Sequence, residues 1–136
     1  MLVRSMAFCF LVIFLFCEFS HCQEAKPDPR EKIETAVAEA IRLLEAKEYG
    51  ALLKAFVPPE DLKKFTERGG FEELESQFAK SNAPELLEIL KSIKGSTPKM
   101  ENEGKKAVFQ FKEPRNGKKS ITFNKIDKYW YIQNSE

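Results

Sequence analysis

The sequence predicts an α+β fold, with N-terminal helices packed on a curved antiparallel sheet of three or four strands. Three observations carry that expectation. Apolar residues recur at intervals of three and four as far as Gly95. Beyond Gly95 the apolar period shortens to two. The helical and extended stretches are also segregated along the chain, and segregated runs indicate α+β, not α/β.

The first helix is expected to open at Asp28-Pro29-Arg30-Glu31, which offers a capping side chain, a proline with pre-set φ and an early acid. Ile33, Val37, Ala40, Ile41 and Leu44 share one face of it, and Gly50 is the expected stop after Tyr49. Ala51 to Val57 reads as one or two further turns closed by Pro58. Pro59-Glu60-Asp61 opens another short helix, broken at Gly69-Gly70, with Leu62 and Phe65 inward. Phe71, Leu74 and Phe78 mark a fourth helix. Pro84 opens the last one, whose stripe is Leu86, Leu87, Leu90 and Ile93. Its charges run from Glu85 and Glu88 to Lys91 and Lys94, complementing the helix dipole, and Gly95 follows as terminator.

Three strands are then expected, and a fourth, weaker one at Thr97 to Glu101. Ala107, Phe109 and Phe111 alternate with Val108, Gln110 and Lys112. Pro114-Arg115-Asn116-Gly117 is a turn, and its Asn-Gly pair is a hairpin signal. Ser120 to Ile126 returns, Asp127-Lys128 turns again, and Tyr129 to Gln133 is dense in aromatic and β-branched residues.

The N-terminus implies an address. Arg4 precedes an unbroken apolar run from Met6 to Phe16, followed by a polar tail. That order is a secretory signal, and the run is shorter than the ~20 apolar residues of a membrane span. Residues 1–22 are therefore expected to be removed, with a cut after Ala25 as the neighbouring alternative. Retention as an anchor and a lipid-modified Cys22 are the minor alternatives; His21 stands where a lipidation signal wants a small residue. The expected product is exported, periplasmic or extracellular. Residues 23–28 form a polar lead and 29–136 a single domain, large enough to bury roughly 60% or more of its unfolded surface. It carries no Asn-x-Ser/Thr acceptor.

Removal of that segment strips the chain of chemistry. Cys9, Cys17, Cys22 and His21 are all the cysteines and histidines it has. Thiolate nucleophiles, imidazole bases and His/Cys metal sites are excluded from such a product. No glycine-rich phosphate loop or nucleophile elbow occurs. Neither a metal nor a cofactor is expected, and no catalytic residue is assigned.

The opening helix pair, AVAEAIRLLEAKEYGALLKAF from Ala36 to Phe56, and the closing stretch, KKSITFNKIDKYWYIQN from Lys118 to Asn134, resemble the NTF2-like (cystatin-like, SnoaL-like) superfamily. The similarity runs over most of Pro29 to Asn134 and is greatest to the exported bacterial branch. It implies a cone-shaped fold, with helices held in a curved sheet, and sheet-to-sheet homodimers. It does not fix a function, because that fold hosts isomerases, dehydratases, adaptors and binding modules. Enzymatic members often use an Asp–His pair or an Asp base in the cone. This chain has no histidine there, and its aspartates after Asp28, Asp61 and Asp127, sit at cap and turn positions.

Among the remaining residues, Tyr49, Phe56, Tyr129, Trp130 and Tyr131 are the candidate ligand-binding set. They either line a pocket between helices and sheet or fill the core. Glu72, Glu73 and Glu75 read as a solvated helix face, and Glu39 as a flank residue of the first helix. Residues 96–136 carry nine Lys/Arg against five Asp/Glu. That excess gathers at Lys105, Lys106, Lys112, Arg115, Lys118 and Lys119, the pattern of lysines that keep sheet edges apart. Export and a near-neutral balance argue against nucleic acid as a partner. The expected function is a non-catalytic binding module for a small apolar ligand or a protein partner. The alternatives are a lyase- or isomerase-type enzyme using Glu or Tyr, and a structural protein of the envelope.

Overall fold

In the computed structural model, residues 25–133 are described; the expected leader, residues 1–22, lies outside them. Five α-helices pack against a four-stranded antiparallel sheet that is not closed into a barrel. The helices are α1 (Ile33–Glu45), α2 (Tyr49–Phe56), α3 (Pro59–Gly69), α4 (Phe71–Ser81) and α5 (Ala83–Ile93). The strands β1 (Lys99–Glu101), β2 (Lys106–Arg115), β3 (Lys118–Ile126) and β4 (Tyr129–Ile132) form a meander in chain order.

The expected long first helix is split at both ends. Asp28 does cap, accepting from the Arg30 N–H at 2.9 Å, but the turn it opens, Pro29–Glu31, is an isolated 3-10 turn. Lys32 is extended (φ −117°, ψ 140°), so α1 begins at Ile33. The Thr35 hydroxyl donates to the Pro29 carbonyl and holds the two pieces together. At the far end α1 stops at Glu45, not at Gly50. Lys47 adopts a left-handed φ of 59°. Its N–H donates to Leu44 O at 3.1 Å, and the Glu48 N–H donates to Leu43 O at 2.9 Å. Those two bonds are the Schellman closure, here made without glycine at its left-handed position. Gly50 instead lies inside α2, where its N–H donates to Glu75 Oε1 of α4 at 2.9 Å. Glu75 thus leaves the solvated face expected of it and satisfies an otherwise free donor of the first turn of α2. Glu72 and Glu73 remain exposed.

The later boundaries follow the chain's punctuation. Pro59 opens α3, Gly70 separates α3 from α4, and Gly95 (φ 79°) follows α5. The turn expected over 114–117 is confined to Asn116-Gly117, both at positive φ, as a two-residue hairpin with right-handed strand twist demands. Pro114 and Arg115 belong to β2, after an irregularity in the β2–β3 register between Gln110 and Arg115.

The core lies between α1, α2, α5 and one face of the sheet. Ala36 and Ala40 are fully buried and let the neighbouring helices approach α1 closely. Ala107 pairs with Phe123 and Phe109 with Ile121 across β2 and β3, placing four buried side chains on one face. The Phe109 and Phe123 rings meet edge to face at 5.9 Å, a favoured aromatic geometry. By contrast, neither α3 nor α4 buries any residue fully, so their hairpin is the thinly anchored part of the molecule.

Candidate functional site

Helices α4 and α5 and strands β2 to β4 bound a groove of about 490 Å³, inside the roughly 300–1,000 Å³ range of small-ligand sites. Its origin is a mismatch of strand lengths. β4 pairs with β3 only from Phe123 to Ile126. Lys118 to Ile121 therefore extend beyond the last strand, and α4 and α5 form the opposite wall.

The helical wall is built around one shared residue. Asn82 ends α4, donating its N–H to Phe78 O at 3.0 Å, and starts α5, its carbonyl accepting from the Leu86 N–H at 2.9 Å. From there Glu85, Leu86 and Ile89 fall on one helix face by their spacing and reach the groove. Phe78, Phe111, Ile121 and Ile132 extend its apolar part. Polar groups come from Ser120, Thr122 and Gln133, with Lys106 and Lys118 as the cations.

Glu85 is the distinctive member. Its Oε1 is buried and has no hydrogen-bond donor. Glu85 is the third residue of α5, from which a glutamate ordinarily reaches back to the N–H of the cap residue. That N–H belongs here to Asn82 and is already given to Phe78 O. One carboxylate oxygen is thereby left without a partner. Lys106 stands apart from it, paired to Glu101 at 3.5 Å. Lys99, followed by Lys106, holds the Glu101 carboxyl below the usual carboxylate range.

The five aromatic candidates lie elsewhere, and none of them lines this groove. Phe56 and Trp130 are core residues, 1% and 3% exposed. Tyr49 stacks edge to face on Phe78 at 6.1 Å, one side chain behind the groove wall. Tyr129 and the buried Tyr131 come together under the Arg30 guanidinium, which lies 4.4 Å from the first ring and 6.0 Å from the second. Arg30 also grips Asp28 with two bonds, at 3.0 and 2.8 Å, and donates to Ala55 O at 2.9 Å. This clasp ties the N-terminal turn to α2 and to the edge strand. It holds the Asp28 carboxyl below its usual range, chiefly through the Arg30 side-chain hydrogen bond.

Of the remaining charged candidates, Glu39 is paired with Arg42 at 2.7 Å. Lys105, Lys112, Arg115, Lys118 and Lys119 are exposed, and Arg115 pairs with Glu88 at 3.7 Å. Among the described residues no three His, Cys, Asp or Glu side chains are grouped as a metal site. No described helix is long and apolar enough to cross a membrane. Sequence reasoning placed Glu85 on the dipole-complementing surface and missed the groove. The available signal was its four-residue spacing to Ile89, on the flank of the apolar stripe. No family model, curated protein or solved structure matches the chain.

Proposed function

We propose that the mature chain is an exported, non-catalytic binding module of NTF2-like type, and that the groove between α4–α5 and the overhanging end of β3 holds its ligand. One observation carries this reading: a groove of about 490 Å³ whose wall joins an apolar part at Leu86, Ile89, Ile121 and Ile132 to an at least equally large polar part that includes Asn82, Glu85, Ser120, Thr122 and Gln133. That lining suits a ligand with an apolar part and several hydrogen-bonding groups. The absence of Cys and His beyond residue 22 supports a passive role, because it removes the usual nucleophile and the near-neutral base. Helices first and a meander after supports the superfamily assignment.

The probe for the site is anilinonaphthalene sulfonate, an anionic apolar dye. The folded protein is expected to enhance its fluorescence saturably in native buffer, and Leu86→Glu is expected to abolish the effect while leaving circular dichroism unchanged. Enhancement that is absent, or indifferent to Leu86→Glu, contradicts the proposal.

A second reading is favoured by one feature. The donor-free oxygen of Glu85 suits a general acid–base group, as in a lyase- or isomerase-type enzyme. Glu85→Gln separates the two. A binder keeps its hold on whatever small molecule co-purifies with the wild type. An enzyme instead loses turnover of that molecule, followed by mass spectrometry.

A further inference from the structure

Among the described residues, the overhang of β3 is an unpaired sheet edge as well as a groove wall. β3 has nine residues; β2 lies along one side, and the paired residues of β4 cover only Phe123 to Ile126 on the other. The last contact on the β4 side is the Gln133 N–H donating to Thr122 O at 2.9 Å. Main-chain groups two residues apart on a strand point the same way. The N–H and C=O of Ser120 therefore aim at the side where no described strand follows, whereas Lys118, past the register irregularity, pairs with Arg115 of β2. Ser120 and Thr122 are the β3 residues of that parity in the groove lining.

Among the described residues, the outer edge of β2 also has no partner strand beyond Val108. It is guarded, however, by exposed Lys112, Glu113 and Pro114, the usual devices against edge pairing. Ser120-Ile121-Thr122 carries neither proline nor charge, and it faces a walled groove.

We infer that the ligand of this groove is an extended, acidic segment of a partner polypeptide, which adds to β3 antiparallel, in line with β4. The inference rests on the groove being the binding site and names what the site takes. Strand addition supplies main-chain hydrogen bonds for affinity and pockets for alternate side chains. Here Leu86, Ile89 and Ile121 form the apolar seat for every second residue of the segment. The charge preference comes from Lys118 and Lys119, neither of which has a carboxylate within ion-pairing distance among the described residues. At about 3.3 Å per residue, some four to six residues span the overhang.

The test is selection of a displayed library of random ten-residue peptides against the protein, followed by binding measurements on the synthetic consensus. The expected consensus alternates β-branched or apolar residues with polar ones and carries Asp or Glu. N-methylating its amides at one parity should weaken binding about tenfold or more, and at the other parity should leave it unchanged. Lys118→Glu together with Lys119→Glu should weaken binding, and the loss should shrink as salt is raised. Ser120→Pro, which removes an outward N–H without touching the β2 pairing, should abolish binding. The peptide methylation scan decides the matter even if that variant misfolds. Dye binding at the groove with no selected peptide, or a consensus indifferent to both methylation parities, overturns the inference and leaves the groove as a small-molecule site. Failure of dye and peptide alike overturns the groove reading itself. Concentration-dependent dimerisation that Ser120→Pro removes would assign the edge to a second copy, against the partner proposed.

Discussion

Replacing Arg30 by alanine should cost about 2–3 kcal/mol, most of it from one half-buried guanidinium. Its side chain is 20% exposed. The hydrogen bond from Nη1 to Ala55 O at 2.9 Å has a charged donor, worth about 1.5 kcal/mol. Stacking on Tyr129 at 4.4 Å and more distantly on Tyr131 adds roughly 1 kcal/mol. The pair with Asp28, 29% exposed, adds about 0.5 kcal/mol. The Asp28 cap on the Arg30 N–H survives the substitution, so the turn itself is not lost. Arg30→Lys keeps a charge over the rings but not the two-pronged grip on Asp28, and should lose about half as much. Urea unfolding reports this through the single tryptophan, Trp130, which is buried in the core. In a domain of this size the alanine variant should melt roughly 10 °C lower. A loss below about 0.5 kcal/mol, or equal losses for lysine and alanine, would show that the clasp does not fasten the N-terminal turn to α2 and β4.

Lys47→Gly should stabilise the protein by about 1 kcal/mol, because it relieves a left-handed lysine at the end of α1; chemical denaturation checks the sign. Glu75→Ala should destabilise by about 1 kcal/mol through loss of the Gly50 N–H acceptor. Hydrogen exchange in that variant should rise first at the start of α2. The contribution of Asp28 should depend on pH with a definite sign. Its folded pKa lies below the ordinary aspartate value of 3.8, so its stabilisation is present above that value and disappears as pH falls through the folded pKa. The stability difference between wild type and Asp28→Asn, measured by urea titration, should therefore stand at pH 6 and shrink as the pH is taken down through the acid range. In an Arg30→Ala background most of that pH dependence should be gone.

Where local chemistry and tertiary packing agree, the chain was legible. Ile33, Val37, Ala40, Ile41 and Leu44 were expected on one face of a helix, and all five are buried. Asn116-Gly117 makes the hairpin that the pair announces. The misreadings have specific causes. Gly50 has the residue type that most often terminates a helix, but Lys47 supplies the left-handed turn and Gly50 is held in α2 by a carboxylate distant in sequence. The groove is not legible in the sequence because it arises from where β4 stops relative to β3, a matter of register that composition does not carry. Arg30 was one charge among many until the fold brought Tyr129 and Tyr131 beneath it.

The most direct examination of the groove is a residue-resolved NMR titration of the uniformly labelled protein with the selected acidic peptide, following every backbone amide. The account predicts shifts confined to Lys118 through Thr122 and to Glu85 through Ile89, with the Ser120 amide moving most. Shifts centred instead on Tyr49, Phe56 or Tyr129–Tyr131, or spread over the exposed side of α3 and α4, would contradict it.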